Sequence, residues 1–114
     1  MKRYCLTLDL VNDEKKIAAY EEHHKAVWPG IIQSIRRAGI IQMEIYRFGN
    51  RLFMIIDSTD EFTFEKKARA DEANAEVQQW ESLMWQYQQS VPGARPGEKW
   101  ALMKEVFRLD EAPE

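Results

Sequence analysis

His23 and His24 stand side by side and are the only two histidines in the chain. An imidazole with an ordinary pKa of about 6.5 is the side chain best suited to giving and taking protons near neutrality. Tyr20 precedes His24 by four residues, so on a helix the phenol and the imidazole share a face, one turn apart. Ile17, Tyr20, His24 and Val27 continue that face as a stripe aimed at a core, which turns His24 inward and displaces His23 by about 100° toward solvent. His24 is therefore the candidate acid–base group. The competing assignment is a core histidine hydrogen-bonded to Tyr20 or to a backbone carbonyl, and composition alone does not overturn it. Neighbouring residues on a helix diverge, and no HxxxH or HExxH spacing converges ligands, so no metal site is expected.

A second constellation lies downstream. Trp80, Leu83, Met84 and Tyr87 recur with helical spacing and read first as the core face of a helix. An indole the size of Trp80 can also pack by one edge and offer its face or N–H to a sugar, and Glu81 beside it could accept from sugar hydroxyls. A surface glutamate is the plainer account of Glu81. Among 19 acidic residues no spacing singles out a hydrolytic pair. The sequence contains no GxSxG elbow, phosphate-cradling glycine loop or nucleotide fingerprint. Cys5, the lone cysteine, reads as a small buried side chain without an activating base.

Composition narrows the partners. The chain of 114 residues is long enough for one compact domain over 1–114 and too short for two ordinary cores. Sixteen Lys and Arg against 19 Asp and Glu leave a formal charge of −3, which does not attract phosphate backbones or anionic lipid. A single cysteine forbids an intrachain disulfide and any CxxC site and suits a reducing cytoplasm. Met1-Lys2-Arg3 is followed by Asp9, Asn12 and Asp13 before any long apolar run, so export is not expected. No stretch reaches the ~20 apolar residues of a membrane helix.

The elements that must position these residues follow from periodicity. Tyr4 to Val11 alternates as a strand, and Asn12 or Asp13 can cap a helix from about Asp13 to about Val27. Pro29 should break that helix and open a second segment ending at Gly39. Ile40–Phe48 and Arg51–Ser58 form a hairpin about Gly49-Asn50. Asp60 can cap a further helical region from Glu61 to about Gln89, with a break near Asn74. After a Pro- and Gly-rich loop, Trp100 to Leu109 reads as the last strand, and 110–114 as a frayed tail. This order is that of a ferredoxin-like βαββαβ fold of the α+β class: a four-stranded antiparallel sheet with helices on one face. Strands two and three are apolar on both faces, so face-to-face dimerisation should cover the other side.

Taken together, the block from Tyr20 through His24 to Trp28-Pro29, the dipeptide Ile45-Tyr46, Trp80, and the ending Glu105-Val106-Phe107-Arg108-Leu109 resemble the L-rhamnose mutarotase family. The resemblance spans nearly the whole chain, and the YxxxH…WP block is its most specific element. It implies a small cytoplasmic homodimer, a dimeric α+β barrel, that interconverts α and β anomers of a 6-deoxy-hexose without metal or organic cofactor. It also places the catalytic histidine on His24 and substrate-binding positions on Tyr20, Met43, Tyr46, Trp80 and Glu81. Met43 and Glu81 depart from the tyrosine and second tryptophan that the pattern carries, which opens L-fucose as a substrate beside L-rhamnose. Two other classes share such a fold: cofactor-free monooxygenase-like enzymes, and non-catalytic sugar-binding modules.

Overall fold

A computed structural model describes residues 1–111. The chain runs β1 (Lys2–Leu10), α1 (Glu14–His23), α2 (Pro29–Arg37), β2 (Ile40–Phe48), β3 (Arg51–Ser58), α3 (Phe64–Glu72), α4 (Ala75–Trp85), β4 (Gln88–Gln89) and β5 (Ala101–Leu102). Single 3-10 turns occupy His24–Ala26 and Leu109–Glu111. All strands pair antiparallel in the order β2-β3-β1-β4, with β5 also on β1. This is the expected ferredoxin-like sheet, except that its fourth strand comes in two short pieces. Gln88-Gln89 lies against Leu10 and Asp9, the chain then leaves the sheet, and Ala101-Leu102 returns against Thr7 and Leu6.

The helix boundaries follow their caps. Asp13 accepts from the amides of Lys15 and Lys16 and starts α1. That helix ends earlier than its apolar stripe suggests: Pro29 holds Trp28 in extended geometry, and the preceding turn tightens to 3-10 over His24–Ala26. Pro29 then opens α2, and Gly39 closes it with a φ of 99°. The helix expected from Glu61 starts instead at Phe64, because Thr63 accepts from the Lys66 amide while Asp60 takes the amino terminus at 2.8 Å. Asn74 accepts from the amides of Glu76 and Val77, so the break anticipated there is an N-cap that starts α4. That helix stops at Trp85, and Gln88-Gln89 belongs to the sheet rather than to the helix.

Leu6, Leu8 and Leu10 of β1 and Leu52, Met54 and Ile56 of β3 are buried beneath the helices. A bulge between Ile40 and Gln42 resets the alternation of β2. Ile41 is thereby exposed, while Met43 and Ile45 sit opposite Ile56 and Met54 on the helix side. The other face carries Cys5, Thr7, Tyr46, Phe53 and Ile55, with ion pairs Arg3–Asp57 and Arg51–Asp9 at its two ends.

The last strand is shorter than Trp100 to Leu109: regular pairing ends at Leu102, extended only by the Met103 amide donating to the Cys5 carbonyl. Val106, Phe107 and Leu109 are exposed beyond it. Of the tail read as frayed, Asp110 and Glu111 lie in the closing 3-10 turn, and 112–114 lie outside the described residues. Among the described residues no helix is long and apolar enough to cross a membrane.

Candidate active site

A cavity of about 550 Å³ opens between the helices and the sheet, within the size range of small-ligand pockets. Tyr20, His24, Met43, Trp80 and Glu81 all line it. They come from four elements. Tyr20 is on the last turn of α1, His24 on the 3-10 turn after it, Met43 on β2, and Trp80 with Glu81 on α4.

Early termination of α1 gives His24 its orientation. The Tyr20 carbonyl, one turn back, faces both the His24 backbone amide and its ring: Nδ1 lies 2.8 Å from the Tyr20 carbonyl oxygen. A carbonyl only accepts, so Nδ1 carries the hydrogen and Nε2 keeps a lone pair. Burial pushes the His24 pKa below 6.5, opposed by the bond to the Tyr20 backbone and reinforced by His23 next door. The imidazole is therefore neutral at pH 7, with Nε2 the nitrogen equipped to take a proton. The alternative of a core histidine bonded to a backbone carbonyl describes half of this arrangement. The carbonyl bond is present, yet the ring lies on the cavity and is not sealed in the core.

The surrounding rings hold that geometry. Tyr20 packs on His24 with centroids 4.2 Å apart, Trp80 meets the imidazole edge-on at 5.7 Å, and Trp28 supports Trp80 at 5.1 Å. Burial raises the Tyr20 pKa to about 12, against a side-chain hydrogen bond with Gln88 that lowers it. Tyr20 thus stays a phenol at every physiological pH and can donate. His23 is not turned to solvent as its helical position suggested; it is half-buried, its ring tilted against that of Tyr87 with Nε2 3.3 Å from the phenol oxygen.

Tyr46 does not reach the cavity. It lies opposite Phe53 on the other face of the sheet, 53% exposed, and its hydroxyl donates to Glu44. The reason is strand geometry: Met43 and Tyr46 are three residues apart, and odd spacings point to opposite faces. Conversely, Gln88, Lys99 and Trp100 line the cavity and were not singled out in the sequence. Gln88 reads from sequence as part of a helix end, and Lys99 falls between the Pro- and Gly-rich loop and the strand that begins at Trp100. The one available signal was a large aromatic, Trp100, emerging directly from a Pro- and Gly-rich loop.

A family model described as L-rhamnose mutarotase matches residues 3–109. The chain belongs to the L-rhamnose mutarotase family. It is accordingly a sugar mutarotase, an isomerase whose substrate is a monosaccharide. Among its relatives is an L-fucose mutarotase of Xanthomonas campestris, 41% identical over 98% of this chain and 91% of that protein. The crystal structure of an L-rhamnose mutarotase from Formosa agariphila superposes with a TM-score of 0.70 at 21% identity, covering 96% of this chain and 99% of that one. Tetracenomycin F2 cyclase from Streptomyces glaucescens shares the fold with a TM-score of 0.62 at 17% identity, covering 99% and 100% of the two chains. The same frame therefore carries unlike chemistries, and in this mutarotase the site residues decide which one.

Proposed function

We propose that the enzyme interconverts the α and β anomers of L-fucose, with His24 as the proton-transfer group. The observation that carries this reading is the His24 imidazole, tied through Nδ1 to the Tyr20 carbonyl and lining the cavity beside Trp80. The chemistry balances without a co-reactant. Nε2 takes the proton of the C1 hydroxyl, the bond from C1 to the ring oxygen breaks, and the ring oxygen takes that proton from the imidazolium, which returns to neutral. After rotation about C1–C2 the steps reverse on the other face of the aldehyde. Nothing is added to the sugar or removed from it. Trp80 offers a packing surface for the pyranose, and the Tyr20 phenol donates to a hydroxyl or orients the imidazole.

The choice of L-fucose over L-rhamnose rests on the 41% identical relative and on Met43 and Glu81. Methionine at 43 gives an apolar wall, and the Glu81 carboxylate accepts hydrogen bonds that an indole does not. Saturation-transfer NMR on L-fucose, L-rhamnose and their epimers tests this directly. The largest enzyme-dependent gain in anomer exchange is expected for L-fucose, and a gain confined to L-rhamnose contradicts the assignment.

We further propose a cytoplasmic homodimer in which 1–114 acts as one domain and the open sheet face is the contact. Tyr46 is 53% exposed on that face with Phe53 and Ile55 half-buried around it, and further along the chain Val106 and Phe107 are also exposed. Tyr46 then serves assembly rather than substrate. The single cysteine and the charge of −3 suit a reducing compartment with no nucleic acid or membrane partner. Light scattering should return about twice the chain mass of 13.5 kDa, and Phe53→Glu should halve it. A wild-type value equal to one chain rejects the dimer.

A further inference from the structure

The fourth strand is interrupted beside the cavity, and what the interruption delivers is not accounted for by the acid–base site. Between Gln89 and Ala101 the chain leaves β1 and folds into two tight turns, closed by Ala94 donating to the Val91 carbonyl and Glu98 to the Arg95 carbonyl. Gly93 and Gly97 supply positive φ values of 89° and 80°. The Ser90 hydroxyl donates to the Glu98 carbonyl at 3.0 Å and ties off the base of the excursion. A loop pinned in this way sets where its return leg re-enters, and the return leg is Lys99-Trp100. Trp100 packs against both hydrophobic clusters of the core, which anchors its neighbour at the cavity wall.

Lys99 lines the cavity, yet its ammonium rests over the Trp85 ring, 5.1 Å from the centroid. Trp85 is four residues from Glu81, so the two stack one turn apart on the same side of α4. Among the described residues neither Lys99 nor Glu81 is held in an ion pair. The cavity lining thus includes one ammonium donor, Lys99, and one carboxylate acceptor, Glu81, opposite in charge and outside any ion pair.

We infer that Lys99 is a specificity-determining residue of the mutarotase, its ammonium moving off Trp85 to donate to one hydroxyl of the bound 6-deoxyhexose while Glu81 accepts from the neighbouring one. This rests on the L-fucose reading above. A carboxylate and an ammonium set side by side match one arrangement of adjacent hydroxyls and mismatch its epimers, because the wrong epimer leaves a charged group without its partner. The reacting end of the sugar stays with His24; Lys99 acts at the hydroxyls away from C1.

The test compares wild type, K99M and K99R by saturation-transfer NMR with L-fucose and L-rhamnose. K99M keeps the aliphatic stem and removes the charge. It is expected to raise KM for L-fucose about tenfold, the effect of one charge-assisted hydrogen bond, with kcat within about twofold. Its preference between the two sugars should shrink by a similar factor, and K99R, which restores donor and charge, should recover most of both. An active wild type whose KM and preference are unchanged in K99M overturns the inference alone, as does an equal loss in K99M and K99R or a loss confined to kcat. A wild type that accelerates neither sugar overturns the L-fucose reading and this inference together.

Discussion

Replacing His24 with glutamine should lower kcat for anomer exchange by about 10²–10⁴-fold, the usual contribution of one positioned acid–base group. Glutamine can still donate to the Tyr20 carbonyl, so the turn at 24–26 and the fold should survive, and the loss should fall on kcat with little change in the melting curve. The same geometry sets the pH profile. Burial holds the His24 pKa below 6.5, so the proton-accepting form predominates at neutral pH. The wild-type kcat/KM should then be level above pH 7 and fall as pH drops through that lowered pKa. Stability has the same sign: the unfolded chain protonates His24 more readily than the folded one, so folding weakens as pH falls from about 6.5 through the folded pKa and then levels off. A profile that rises toward acid would reverse the role given to the imidazole.

The second large effect is expected at Trp80. Its side chain is 9% exposed and belongs to a buried cluster with Leu10, Tyr20, Ile31, Leu52, Val77 and Met84. It also meets the rings of His24 and Trp28 edge-on. Trp80→Ala should cost about 3 kcal/mol in chemical denaturation, the low end for deleting a buried indole because one side of the ring already faces the cavity. In the fraction that remains folded, L-fucose should bind more weakly, since the sugar loses its apolar wall. Trp80→Phe, which keeps most of the packing, separates the two roles: stability should largely return while KM stays raised. A stability loss under 1 kcal/mol in Trp80→Ala would show that Trp80 is not the wall of the core described here.

These expectations depend on how much of the molecule local chemistry encodes. The hairpin and the helix caps are short-range events, so Gly49-Asn50, Pro29 and the break at Asn74 could be read from neighbouring residues. Where the reading failed, the deciding interaction was distant. Asp60 looks like a cap until the amino terminus is seen to claim it, and Gln88-Gln89 looks like the end of a helix until β1 offers it an edge. The fourth strand could not be delimited from its own residues, because only two of them pair on either side of the excursion.

The site divides along the same line. The four-residue spacing of Tyr20 and His24 brought both to one place even though the α-helix ends at His23, because the 3-10 turn keeps the chain winding in the same sense. Strand parity, with the bulge at Ile41, decides between Met43 and Tyr46, and the motif Ile45-Tyr46 does not reveal it. Lys99 and Trp100 depend on where a loop re-enters the sheet, which is a property of the whole fold. No spacing of residues along the chain encodes it.

The most direct test of the central claim is an NMR titration of the enzyme with ¹⁵N-labelled histidine. The account predicts that at pH 7 His24 is neutral with its proton on Nδ1, that it titrates below 6.5, and that the Nε2 resonance shifts when L-fucose is added. A His24 ring that carries its proton on Nε2 at neutral pH, or an Nε2 signal indifferent to the sugar, would contradict it.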